Sequence, residues 1–599
     1  MFTSEDMLMF CLLRPIGFVA LLIALTFGGM TPPAAAQPPT ADPLLVPAAI
    51  LPANTFFYAA VRLDDATLGS LDAILATFRE RLPADAVSPS TRDMIALLAS
   101  LDVFGQRFFG GDFATSIRPW LGDVGAAALI RPDINLLARD FRRSRFSSFY
   151  APVFILQIRD RAGAAAALEQ FFQKADGVWQ KTEDTAFQTV FTQGDISNFS
   201  ASAIAIRDDS LIISTNIGLE SLPLVTNSLA DAPHFQKTLS RMPLPHYTAV
   251  VFTNARTWLE QGIGSSFYAS YYGFRWDTLM VLTPLMRAAG YVGVGFTSLD
   301  ADTITMDTIF TVGNTAPLKA LGFTFTQRGR ALIPEFAARV PGNAFAVIHG
   351  ADLAASAETF WEAAGHILST FTLQSFTEDA ALIEGLKRPF NVVLSNLIGF
   401  DYERDLSGWI RGDYALFLSD AGGVTIDAGL MFAVSDAASA RQFLRTVESE
   451  LGITLTLLGV RDVLIDSAWT HIRDTEVLVI KVVPLYGGAP FEIVLAADEA
   501  ILVMGSRGAV ESVLTPTEES ASLRRVRQYT LPTAGMGWYV VPGQLTSRFD
   551  ALALLAPNDY QRRQYETYRT LTTLLRDASI SGAVNEHGDL LLRFTVGVR

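Results

Sequence analysis

Two carboxylates in this 599-residue chain close the same local pattern, and a pair of carboxylates is the minimum equipment for acid/base hydrolysis. Asp123 ends the run Asp112-Phe113-x3-Ile117-x2-Trp120-Leu121-Gly122-Asp123. Asp413 ends Asp401-Tyr402-x3-Leu406-x2-Trp409-Ile410-Arg411-Gly412-Asp413. Glycoside hydrolysis would need the two carboxyl groups about 5 to 9.5 Å apart. An Asp after Gly at a loop-to-strand corner has a plainer use: its side chain can bond its own backbone two residues on, or the residue can stand in a turn. The recurrence of the whole pattern favours that use. Asp112, Trp120, Asp123, Asp401, Trp409 and Asp413 are therefore read as a structural motif, in which each buried indole N–H should find an acceptor.

Other catalytic equipment is sparse. The six histidines, His234, His246, His349, His366, His471 and His587, form no H-E-x-x-H and no pair at zinc-ligand spacing. There is no G-x-S-x-G elbow, phosphate-binding loop or dinucleotide fingerprint, so no catalytic residue, metal or cofactor is assigned. Gly505-Ser506 reads as the handover from a strand to a helix, with Ser506 as the cap. A net charge of -15 leaves no basic footprint for a phosphate backbone, and nucleic acid is not an expected partner.

One segment invites contact with something apolar. Residues 267–276 read F-Y-A-S-Y-Y-G-F-R-W, and Phe267, Tyr268, Tyr271, Tyr272, Phe274 and Trp276 are candidates for touching a ligand, a membrane surface or a partner. A contact between domains is the alternative use. Near the matching place in the second half the chain has the more polar Tyr560-Gln561-Arg562-Arg563-Gln564-Tyr565.

The elements that must position these residues repeat along the chain. Each half opens on a strand and a helix, 56–63 then 68–78, and 344–348 then 354–368. The Trp corner follows and launches an apolar strand at 124–130 or 414–418. Next comes a strand at 153–158 or 429–434, ending in Asp160 or Asp436, which caps an amphipathic helix. Hairpins follow at 203–215 and 491–504, with turns at Asp208-Asp209 and Asp498-Glu499. Each half closes on helical sequence and a hairpin whose last strand alternates with period two: Ile304, Met306, Thr308, Phe310, and Leu590, Leu592, Phe594, Val596. The expected fold is α+β: two tandem duplicated domains, 43–313 and 331–599, joined by a linker at 314–330. Each is a largely antiparallel twisted sheet with helices packed on one side.

Compartment is read from the first residues. An uncharged apolar run at 16–30 follows Arg14 and precedes Thr31-Pro32-Pro33-Ala34-Ala35-Ala36, so 1–36 is expected to be a signal peptide or an N-terminal membrane anchor. The single Cys, Cys11, lies within it, and cleavage would leave a chain without disulfides or thiolate metal sites. With 50% hydrophobic and 18% charged residues and 41 Phe, the chain has ample material for cores.

The leader, the Leu51-Pro52-Ala53-Asn54-Thr55 opening, the Trp-Leu-Gly-Asp corner and the Asp160 helix together resemble the bacterial proteins of domain-of-unknown-function family 3352. The resemblance covers most of 51–598, and Arg411 interrupts the motif in the second half. It implies an exported or membrane-anchored protein and supplies no active site. The functional expectation is a non-enzymatic extracytoplasmic protein that binds a lipid or other apolar ligand, or an envelope partner. A structural envelope scaffold and a hydrolase with a site between the domains are the alternatives.

Overall fold

The computed structural model describes residues 42–70, 72–73, 97–131, 150–174, 179–182, 186–187, 189–193, 202–255, 289–300, 302–312, 333–351, 408–410, 412–422, 425–457, 463–485, 489–515, 521–531, 534, 536–585 and 587–598. The expected leader, the aromatic segment 267–276, the linker 314–330, the helix expected at 354–368 and Asp401 lie outside these residues. The described residues fall into two compact units, the first comprising those up to Gly262 with Ala289–Thr311, the second those from Val312 to Arg599.

The strands of the first unit are β1 (Phe57–Arg62), β2 (Leu121–Ile130), β3 (Ala151–Ile158), β4 (Trp179–Thr182), β5 (Thr189–Gln193), β6 (Ser202–Arg207), β7 (Ser210–Thr215), β8 (Ala249–Asn254), β9 (Ala289–Asp300) and β10 (Thr303–Val312). They pair antiparallel in the order β4-β5-β6-β7-β3-β2-β1-β8-β9-β10. In the second unit the strands are β11 (Ala344–Gly350), β12 (Tyr414–Asp420), β13 (Ile426–Ala433), β14 (Val463–Ile472), β15 (Thr475–Pro484), β16 (Phe491–Ala497), β17 (Ile501–Gly505), β18 (Met536–Val540), β19 (Leu575–Val584) and β20 (Leu590–Val598). Their order is β14-β15-β16-β17-β13-β12-β11-β18-β19-β20, which is the first order repeated strand for strand.

Helices pack on both faces of each sheet, not on one side as the hairpin pattern implied, because strands of each sheet carry apolar residues on both faces. In the first unit α1 (Leu97–Phe109), α2 (Phe113–Ser116) and α3 (Arg161–Lys174) lie over Val61, Leu121, Ile158 and Phe296. On the opposite face α4 (Asn216–Ser221) lies on β3 and β7, and α5 (Pro233–Ser240) brings Phe235 edge-on to the Tyr58 and Phe252 rings at 5.5 and 5.0 Å. In the second unit α6 (Pro334–Ala337), α8 (Arg507–Leu514) and α9 (Ala521–Tyr529) cover Val347, Phe417, Met431 and Tyr539. There α7 (Ala437–Leu457) covers Leu478, Ile480, Leu495 and Leu502 on the other face. A final pair, α10 (Thr546–Leu555) and α11 (Asp559–Leu574), forms a helical hairpin ahead of β19.

The closing hairpins alternate as expected, yet their more buried side is the polar one. Thr303, Thr305 and Asp307 are buried on β10, and Asp577, Ser579, Ser581, Arg593 and Thr595 on β19 and β20. Burial of such groups is tolerated where partners meet them, and several are so met, although the Thr305 hydroxyl is not. The Tyr247 hydroxyl donates to Asp307 Oδ2 at 2.8 Å, the Leu531 N–H donates to Ser581 Oγ at 3.1 Å, and Ser579 and Thr595 bond each other.

Candidate functional site

The first Trp corner is built by backbone closure around a buried indole. Asp112 caps α2, accepting the Thr115 N–H at 2.8 Å, and the Thr115 hydroxyl followed by that N–H holds its carboxyl below the ordinary range. The Trp120 Nε1–H donates to the Ser116 carbonyl at 2.8 Å, as a buried indole requires. The Trp120 carbonyl accepts the Arg159 N–H at 2.9 Å, which ties β2 to the end of β3. Gly122 admits this closure, since a Cβ there would stand 2.8 Å from the Gln157 backbone. Asp160 then starts α3, its Oδ1 accepting the Gly163 N–H at 3.0 Å.

The second corner reproduces the closure. The buried Trp409 packs 5.8 Å from the Phe443 ring on α7, and its carbonyl accepts the Ser435 N–H at 2.9 Å. Asp436 caps α7 through the Ser439 hydroxyl at 2.7 Å and the Ala438 N–H at 2.9 Å, and those bonds hold its carboxyl below the ordinary range.

The carboxylates that opened the chemical question differ sharply. The Asp123 side chain is 58% exposed and accepts from Arg118 Nη2 at 3.0 Å and Arg159 Nη2 at 2.7 Å. Arg118 also reaches Asp65 at 2.5 Å, so the group is a surface ion-pair network that straps β2 to β3. Asp413 is 1% exposed, and its Oδ2 accepts the Ile333 N–H at 2.5 Å. The partners of these carboxylates come from elsewhere in the chain. In one case nearby guanidinium groups hold the oxygen, and in the other a distant N–H arrives at the buried side. Each carboxylate bonds to partners inside its own unit. His471 is exposed on β14, and among the described residues no group of three or more His, Cys, Asp or Glu side chains could hold a metal ion.

The feature that sequence reading missed is a row of large apolar side chains across the second sheet. Register pairs Met504 with Leu430, Leu430 with Leu416, Leu416 with Ile348, Ile348 with Trp538, Trp538 with Ile580 and Ile580 with Phe594. At about 4.8 Å between strands, the row runs for about 29 Å. Leu416, Ile348, Trp538 and Ile580, at its centre, remain 37% to 43% exposed. A flanking row of Leu418, Ala346, Val540, Ala578 and Val596 continues the apolar character. The available signal was the composition of β11 and β12, Ala-Phe-Ala-Val-Ile and Tyr-Ala-Leu-Phe-Leu, apolar on both faces where only one meets the Phe336 and Phe417 core. The aromatic candidates Phe267 to Trp276 lie outside the described residues.

A family model described as a protein of unknown function (DUF3352) matches residues 16–452. No curated protein and no solved structure matches the chain.

Proposed function

The chain belongs to the DUF3352 family of proteins of unknown function, and we propose that it is a non-enzymatic extracytoplasmic protein that docks an apolar surface of an envelope protein on the second unit's sheet. The observation that carries this reading is the exposed row Leu416, Ile348, Trp538 and Ile580. Contiguous exposed apolar surface of this kind marks interaction sites, since isolated exposed apolar residues need no such alignment. An open sheet face suits a protein surface, whereas a small apolar ligand is usually held in a concavity that buries most of it. The apolar run at 16–30 and the small-residue stretch ending at Ala36 support export or anchoring at the envelope.

The proposal includes a tandem duplication followed by divergence. It is supported by the repeated strand order, by the two Trp corners and by matching register positions. Ala59 pairs with Ala127 and Val251 as Ile348 pairs with Leu416 and Trp538. In this reading the first copy keeps a closed face and the second carries the contact.

Native mass spectrometry of protein isolated from cells without detergent tests the function. A co-isolated protein present with the wild-type chain and absent with Ile348→Asp/Leu416→Asp is the expected result. A bare monomer for both chains, or a lipid adduct in place of a protein, would contradict it.

A further inference from the structure

Among the large apolar side chains exposed in the described residues, the three most exposed are Leu554 at 88%, Tyr560 at 78% and Leu555 at 69%. All three lie at one place, the tip of the α10–α11 hairpin, on either side of the connection Ala556-Pro557-Asn558. The hairpin is firmly made below this tip. Asp550 pairs with Arg569 at 2.6 Å, Phe549 meets the Tyr568 ring at 5.6 Å, and the Thr546 and Thr572 hydroxyls bond at 3.1 Å. Asn558 starts α11 by accepting the Gln561 N–H at 2.9 Å. The tip is therefore held in place by contacts that do not use its leucines, and nothing in the packing of the hairpin calls for two adjacent leucines there.

Chemistry next to the tip indicates what it meets. Arg562 and Arg563 are both exposed, within a turn of Tyr560 on α11, in a chain whose net charge is -15. Asp559 lies beside them and pairs with Arg562 at 3.3 Å. Aliphatic side chains at the end of a protrusion, a tyrosine at their edge and guanidinium groups behind them match the layers of a membrane interface. There apolar groups enter about 5 to 10 Å and cations stay with anionic headgroups. A convex tip offers little complementary area to a protein, while a bilayer needs no matching shape.

We propose that the α10–α11 hairpin is a membrane-contact element that inserts Leu554, Leu555 and Tyr560 into the surface of an anionic bilayer, with Arg562 and Arg563 at the phosphates. This surface is distinct from the sheet face of the proposed function and does not depend on it.

The test uses the full chain with Cys11→Ser and an environment-sensitive dye on Leu555→Cys. Vesicles of phosphatidylethanolamine and phosphatidylglycerol should raise and blue-shift its emission, while the same dye on Asp208→Cys, in the β6–β7 turn, should not respond. Because the leader is common to both proteins, any attachment through it leaves this difference untouched. Arg562→Glu/Arg563→Glu should weaken the response at position 555 on anionic vesicles by about tenfold, and Leu554→Asp should abolish it. An unresponsive dye at position 555 would overturn the proposal, as would a response equal on phosphatidylcholine vesicles and unchanged by the charge reversal. Both substituted regions are exposed, and an unaltered unfolding midpoint confirms that each variant is folded.

Discussion

Ala59, Ala127 and Val251 occupy the same places in the first sheet that Ile348, Leu416 and Trp538 occupy in the second. The first set is small and Ala59 is buried; the second is large and stands partly in water. The corners diverge in the opposite sense. Asp123 is exposed and held by two arginines, whereas Asp413 is buried against the Ile333 N–H. A third contrast lies on the other face, where Ala60 opposite Val250 is answered by His349 opposite Gly537, whose missing Cβ leaves room for the imidazole. Strand order and backbone closures are common to both units, so what differs between them is decided by side chains that the shared scaffold leaves free to change.

If the corners are equivalent, breaking either should cost the same. Trp120→Ala and Trp409→Ala should each destabilise their unit by about 3 to 5 kcal/mol, read from denaturant midpoints, because each removes a large buried ring. A large loss for one and a negligible loss for the other would end the equivalence.

The His349 contrast predicts a pH dependence of the second unit that His349→Ala removes. Burial, and then the nearby Arg527 charge, push the imidazole down to about 4 from 6.5. Between these values the unfolded chain takes a proton that the folded one refuses, so stability is complete above pH 6.5 and declines as pH falls toward 4. The loss should approach about 3 kcal/mol, and His349→Ala, which restores the first unit's residue type, should flatten it in urea titrations at graded pH.

The two corner carboxylates should separate in the sense of their burial. Asp413→Ala should cost about 1 to 3 kcal/mol by removing the buried acceptor of the Ile333 N–H. Asp123→Ala should cost less than about 1 kcal/mol, since exposed ion pairs are weak, and the small effect should shrink further in high salt. Smaller still should be the effect on folding of Ile348→Asp, under about 1 kcal/mol, because that side chain already meets water.

Much of the strand plan was legible because the relevant signals are local. Apolar runs bounded by turns marked β6 and β7, and Asp208 in their turn has the positive φ of 48° that Asp tolerates. The amphipathic helices were legible for the same reason, with Ala164, Leu168 and Phe171 buried on α3 and Ala440, Leu444 and Val447 on α7. Edge strand β4, Trp179-Gln180-Lys181-Thr182, was not legible, since it buries too little to impose a pattern. The long β14 strand was hidden by Asp466, Ser467, Thr470 and His471 among its apolar residues. Ser506 does stand at the start of α8, but its hydroxyl donates to Asp427 at 2.5 Å and does not cap the helix. The apolar character of β11 and β12 was legible but their alignment into a row was not: Ile348 and Trp538 become neighbours only when β11 pairs with β18, and register between distant strands leaves no local trace.

The most direct test places a photo-crosslinking residue at Trp538 and, in a separate chain, at Val251, the matching position in the first unit. Irradiation in cells should give one discrete protein adduct at position 538 and none at 251. Equal adducts at both positions, or none at either, would contradict the assignment of the contact to the second unit's face.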